Sequence, residues 1–151
     1  MKVRGTLYAI LTTIMLQACA NSKAVVSRGI DLSKYSYVVF GQESTGNSGL
    51  DDMIIAVQNE IADTELEVVS AQNGRVKMSL GESVLSPNIH ILSENHDGGH
   101  TYITITFYDC NTSQKIAVVK SSGIGMSISQ DQNIALSSIR KKLKKLFGNK
   151  R

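Results

Sequence analysis

The segment Tyr102–Tyr108 alternates strictly. Ile103, Ile105 and Phe107 fall on one side of an extended chain, and Tyr102, Thr104, Thr106 and Tyr108 fall on the other. Successive side chains of a strand point to opposite faces, so this run demands a sheet with one dry face and one wetted face. A dry face needs a second layer to cover it. Two amphipathic stretches supply that layer. Leu50, Met53, Ile54, Val57 and Ile61 recur at helical spacing, with Ser48 placed to cap and Asp51 and Asp52 in the favoured first turn. This helix is expected to run to about Thr64. Near the end of the chain, Ala135, Leu136, Ile139, Leu143, Leu146 and Phe147 form one stripe, and Ser129 with Gln132 has the spacing of a capping box.

The remaining segments read as further strands. Tyr35–Phe40 is β-branched and aromatic, and Leu66–Ser70 is a short strand leading into a turn at Ala71–Gly74. In Arg75–Leu80 the apolar residues Val76, Met78 and Leu80 alternate, as in a half-buried strand. Gly81–Pro87 is expected to interrupt it, because proline has no N–H to give to a ladder. Asn88–Leu92 resumes the strand, and Glu94–His100 is a polar loop. Lys115–Ser121 pairs back onto Tyr102–Tyr108 across a turn at Asp109–Gln114. The fold class is α+β: a two-layer sandwich with a mostly antiparallel sheet, one βαβ crossover and two helices on one face. The Thr- and Tyr-rich face stays partly solvated.

The N-terminal segment is of another kind. Met1-Lys2-Val3-Arg4 carries two cations and no acid, and Leu7–Leu16 carries no charge. Ten helical residues reach about 15 Å, half the ~30 Å of a bilayer's hydrocarbon core, so this stretch has the length of a signal-peptide apolar region rather than of a membrane span. It ends in Leu16-Gln17-Ala18-Cys19. This resembles the lipobox of bacterial lipoproteins: an aliphatic residue, a variable one, a small one, then the cysteine. The resemblance implies cleavage before Cys19, a thioether-linked diacylglycerol on Cys19, and acylation of the new amine, commonly with palmitate. Two or three acyl chains, each buried CH₂ contributing about 0.8 kcal/mol, make such an anchor effectively permanent. By analogy with enteric lipoproteins, the Ala20 that follows, in place of Asp, implies the outer membrane, facing the periplasm. The expected organisation is a signal peptide over 1–18, a lipid-anchored tether over 19–30 and a single α+β domain over 31–148.

Charge is unevenly spread. Residues 140–151 hold seven cations and no acid, whereas residues 19–139 hold seven cations against thirteen acids. With Cys19 lipidated, Cys110 has no partner for an intramolecular disulfide, so stability rests on packing.

Candidate chemistry is sparse. His96 and His100 flank Asp97-Gly98-Gly99, and two imidazoles with a carboxylate suit Zn²⁺ or Cu²⁺, with His90 as a third ligand. Asp-Gly-Gly is equally ordinary turn chemistry. Cys110 has no closely flanking base. Gly123 and Gly125 precede a helix, where glycines can cradle phosphate, but the P-loop pattern is absent. The acids Asp51, Asp52, Glu60, Asp63, Glu65 and Glu67 read as a solvated face. Arg140, Lys141, Lys142, Lys144 and Lys145 are the candidate binding residues, for anionic lipid, lipopolysaccharide or an acidic envelope protein. They also suit a helix C-terminus on macrodipole grounds alone. No cofactor and no nucleic acid is expected.

Opening on Asp31-Leu32-Ser33-Lys34-Tyr35 and closing on a Lys-rich helix, the folded part is similar to small envelope lipoproteins with a TolB N-terminal-like or LptE-like domain. That resemblance implies a non-enzymatic binding or assembly module. The alternative is a metal-dependent periplasmic enzyme using His96 and His100.

Replacing Cys19 with Ser should abolish incorporation of radiolabelled palmitate and release the protein from the membrane fraction. Persistence of either in fractionated cells would show that Cys19 is not the lipidation site.

Overall fold

The computed structural model describes residues 20–94 and 99–150; Cys19 and His96 lie outside them. Among the described residues six strands, β1 (Ala20–Val26), β2 (Tyr35–Val38), β3 (Glu67–Val68), β4 (Ser83–Glu94), β5 (His100–Asp109) and β6 (Lys115–Gly123), form one sheet in the order β1-β6-β5-β4-β2-β3. The helices are α1 (Ser48–Ala62), α2 (Ala71–Ser79) and α3 (Ile128–Phe147). The fold is α+β, with antiparallel pairing from β1 to β4 and a parallel β4-β2-β3 edge.

The alternation in β5 sets the layers. Ile103, Ile105 and Phe107 are fully buried, Thr104, Thr106 and Tyr108 are half-buried, and Tyr102 is exposed. The inner face is covered by α1 through Met53, Ile54, Val57 and Ile61, and by α3 through Ala135, Ile139, Leu143 and Phe147. The last four recur every fourth residue, so one side of α3 meets the sheet along its whole length. Phe147 packs edge-on against Phe107 with ring centroids 5.0 Å apart.

Several local expectations are corrected. Arg75–Leu80 is not a strand; Ala71–Ser79 is a helix. Ser70 caps it by accepting from the Asn73 N–H at 3.2 Å. It ends in a Schellman motif at Gly81 (φ +83°), with Gly81 N–H on Met78 O and Glu82 N–H on Lys77 O. The alternating Val76 and Leu80 are exposed, 53% and 73%, so their period carried no burial. Gly74 faces β2: a Cβ there would stand 2.5 Å from Val39 Cγ2. Val39 follows buried Val38 and points to the other side of the sheet, so α2 covers the outer face at this edge. There are therefore two crossovers, β2-α1-β3 and β3-α2-β4, on opposite faces. Right-handed connections running in opposite directions require that placement.

Pro87 does not break the chain's extension; it lies inside β4, opposite Phe107. Leu85 O accepts from Val39 N–H, which puts the odd-numbered N–H positions of β4 on the β2 side. The β2–β4 register ends at Leu85, so the N–H that Pro87 lacks would have had no strand to meet. Two residues on, the Ile89 N–H is accepted by Glu43 Oε1 at 3.2 Å. The helix caps also shift by a residue or two. Asn47, not Ser48, caps α1, and Ser127 with Gln130, not Ser129 with Gln132, frames the start of α3. Finally, Ala20–Val26 is not a tether. It pairs antiparallel with β6 from Ala20↔Gly123 to Val26↔Ala117. Ala24 and Val26 pack against the core, so the sheet begins well before residue 31.

Tyr35 and Asp109 join β2 to the β5–β6 turn. The buried Tyr35 hydroxyl donates to Asp109 Oδ2 at 2.7 Å, and the N–H groups of Asn111 and Thr112 donate to Oδ1. Burial pushes the Asp109 carboxyl up, but the Tyr35 hydroxyl and these N–H groups outweigh it, and its pKa falls below the ordinary carboxylate value. A group depressed in the folded state contributes stability above its unfolded pKa of about 4, and loses it as pH falls through the folded value. Tyr35→Phe should therefore cost about 1.5–3 kcal/mol at pH 7. In urea unfolding, that penalty should shrink at pH 3. An equal penalty at both pH values would mean that the carboxylate is not the partner that matters.

Candidate functional site

His90 and His100, the two described histidines, do not converge. His100 is half-buried at the start of β5, with Nδ1 3.3 Å from the Tyr102 hydroxyl and its ring stacked on that residue. His90 lies on β4 opposite Thr104, four residues along β5 from His100. At about 3.3 Å per residue this is roughly 13 Å, too far for both imidazoles to bind one metal ion. Among the described residues no group of three His, Cys, Asp or Glu stands close enough to hold a metal.

Cys110 continues the turn after β5, its N–H donating to Val84 O. Burial, then the charge of Asp109, raises its thiol pKa, the reverse of what a nucleophile needs. The acids are dispersed into structural work. Asp51 accepts from Thr45 N–H and from the Thr45 and Ser44 hydroxyls, which hold its pKa low and close the loop before α1. Glu65 lies against Gly148, and Asp52, Asp63 and Glu67 are exposed. Glu43 is different: burial raises its pKa against the Ile89 N–H that lowers it, and its Oε2 is buried without a partner among the described residues.

The space beside Gly123 and Gly125 is filled by the first turn of α3 rather than left open to a phosphate. A Cβ on Gly123 would stand 2.0 Å from Asp131 O, so this glycine lets the first turn of α3 lie directly on the end of β6. Asp131 is 1% exposed, and neither carboxylate oxygen has a hydrogen-bond partner among the described residues. The carboxylate rests against Gly99 and Gly125, where side chains would collide with it. It lies in the first turn of α3, the end of a helix that favours negative charge. Sequence reasoning missed this residue. Its one signal was position: Asp131 begins the every-fourth-residue series that continues through Ala135, Ile139, Leu143 and Phe147.

The basic end of α3 divides in two. Arg140 does not stand free. Its Nε meets Glu60 Oε2 at 2.7 Å, and Nη2 meets Oε1. This two-pronged pair ties α3 to α1, and Glu60 is 6% exposed. Lys150 Nζ donates to Ala62 O at 2.9 Å, capping the C-terminal end of α1. Lys141 and Lys145 are exposed, Lys142 and Lys144 half-buried, and among the described residues none of the four is in an ion pair.

At the opposite end of α3, Ala20 pairs with Gly123, and Gly123 with Thr101. The residue before Ala20 is Cys19. The start of β1, the end of β6 and the N-terminus of α3 thus share one end of the molecule. Lys141–Lys145 lie thirteen to seventeen helical residues from Ile128, about 20–26 Å away at ~1.5 Å each. Among the described residues no helix is long and apolar enough to cross a membrane.

No protein-family model matches the chain, and no curated protein matches its sequence. Solved structures do match its fold. A PelC dodecamer from Paraburkholderia phytofirmans aligns with a TM-score of 0.52 at 16% identity, over 87% of this chain and 100% of that one. A PDZ domain protein from Parabacteroides distasonis aligns at 0.53 and 10% identity, over 96% of this chain and 41% of that one. A minor lipoprotein from Acinetobacter baumannii aligns at 0.39 and 12% identity, over 74% of this chain and 91% of that one. At these identities the first two matches establish likeness of fold.

Arg140→Ala should destabilise the protein by about 1–3 kcal/mol, because it strands a buried carboxylate. Changing Lys141, Lys142, Lys144 and Lys145 together to Gln should shift the unfolding midpoint little. Comparable losses in the two variants, measured by thermal unfolding, would mean that the five cations act as one set.

Proposed function

We propose that this chain is a lipid-anchored, non-enzymatic module of the bacterial envelope that holds an anionic partner away from its own membrane. One observation carries the reading: the sheet starts at Ala20, directly after the lipobox cysteine. A lipid on Cys19 would hold the edge of a packed domain, with no free segment between. Such a domain has a near end and a far end. The four α3 lysines that form no ion pair among the described residues lie at the far end, more than two Debye lengths of about 8 Å from the anchor end, too far to act mainly on the membrane that carries the anchor. They suit a partner that comes from the compartment the domain faces, with an acidic protein or a second anionic surface as the matching chemistry. Reading the chain as a binding module rather than an enzyme is supported by the structural use of its buried and partly buried acid–base groups. Tyr35, Asp109, Glu43 and Cys110 serve turns and strand ends. The fold's likeness to a protein that forms a dodecamer favours assembly as the kind of work done. The outer membrane's periplasmic face remains the location we favour, on the lipobox and Ala20.

Lipidated protein reconstituted into phosphatidylcholine vesicles should tether a second population of vesicles containing lipopolysaccharide or phosphatidylglycerol. Salt should suppress the tethering, and the four Lys→Gln changes should abolish it while the protein stays on its own vesicles. Tethering that is absent at low salt, or indifferent to the four changes, would remove the basic end of α3 as the binding surface.

A further inference from the structure

The turn between β6 and α3 is more apolar than its structural work requires. Gly123 and Gly125 allow the close approach to Asp131, Ser127 caps the helix, and the Met126 N–H is taken by Gln130 Oε1 at 2.9 Å. None of this needs the side chains of Ile124, Met126 and Ile128. Yet Met126 is 92% exposed, and Ile124 and Ile128 are 39% and 43% exposed. They alternate with Gly125 and Ser127, so three large apolar groups project from one short lip with no charge between them.

The position of the lip identifies what covers it. Gly123, one residue before Ile124, is the sheet partner of Ala20. Consecutive Cα atoms are about 3.8 Å apart and paired strand residues about 5 Å apart, which places the Ile124 Cα within about 13 Å of the Cys19 Cα. We propose that Ile124, Met126 and Ile128 insert into the apolar margin of the same bilayer that receives the acyl chains on Cys19, making a second, non-covalent attachment. This rests on the anchor reading above. Elements at a membrane interface sink about 5–10 Å, a depth that side chains on a protruding turn can reach. The occupant is lipid acyl chain rather than headgroup charge. The lip carries no cation, the nearby Asp131 is buried, and Glu94 at the end of β4 is exposed. Docking is therefore insensitive to salt and to anionic lipid. Two attachments at one end also hold the long axis of α3 away from the membrane, so the lysines of its far end keep their distance.

The test uses the full lipidated protein on phosphatidylcholine vesicles, with and without phosphatidylglycerol. A Cys110→Ser background leaves the introduced cysteine as the one to label with an environment-sensitive dye. The label is placed at Met126→Cys, or at Gln114→Cys in the β5–β6 turn at the other end of the sheet. The dye at 126 should show a blue-shifted emission on vesicles, lose fluorescence to nitroxide-labelled lipid, and resist a water-soluble quencher, equally in both lipids. The dye at 114 should behave in the opposite way. If the protein floats with vesicles but the dye at 126 stays open to the aqueous quencher, docking of the lip is overturned while the anchor stands. If the protein does not float with vesicles, the anchor and the docking that depends on it both fall.

Discussion

Everything in this molecule depends on covering the inner face of β5 and β6. Ile103, Ile105, Phe107, Ile116 and Val119 are fully buried there, and α3 supplies the lid. The lid lies flat because every fourth residue from Ala135 to Phe147 faces the sheet and because Gly123 lets the helix backbone meet the strand backbone. A side chain at residue 123 would lift the first turn of α3, uncover the Asp131 cradle and disturb the end of the sheet where β1 begins. The packing that gives the domain its core thus also fixes where the chain emerges towards Cys19.

The second helix of that layer is held more selectively. Glu60 on α1 is buried and would be costly without its partner, so Arg140 fixes the register of α1 against α3. Lys150 donates to Ala62 O in the last turn of α1. These two cations are withdrawn from a run of charges that looks uniform in the sequence. Among the described residues of that run, Lys141, Lys142, Lys144 and Lys145 form no ion pair, on a body in which acids predominate. The molecule is therefore electrically and geometrically polar along α3, with an apolar lip and the start of β1 at one end and the four lysines at the other.

Much of this was legible beforehand, for stated physical reasons. Long elements with a strong period declared themselves: the alternation of β5 and the stripes of α1 and α3 predicted their own burial, and the α+β class followed. Short elements did not. Ala71–Ser79 alternates in hydrophobicity, but its capping serine and the tight contact of Gly74 with Val39 decided for helix. Pro87 suggested a break because the sequence does not say where β2 stops. Ala20–Val26 looked like a tether because an edge strand buries only one side, here Ser22, Ala24 and Val26 in part. At the candidate sites, residue type overstated chemistry. His90 and His100 are kept apart by register, and Arg140 is spent on Glu60. The buried carboxylate of Asp131 left no trace in composition.

A fixed orientation requires that β1 be an integral strand, since only then does an anchor at Cys19 set the direction in which the domain faces. Amide hydrogen exchange on the lipidated protein tests this directly. Alternate amides of β1, in step with Ser27, whose N–H meets Ile116 O at 2.9 Å, should exchange slowly, within the range set by the paired amides of β6. If Ala20–Val26 exchanges at the rate of unstructured chain while β5 and β6 stay protected, the segment is a tether after all, and the fixed orientation fails with it.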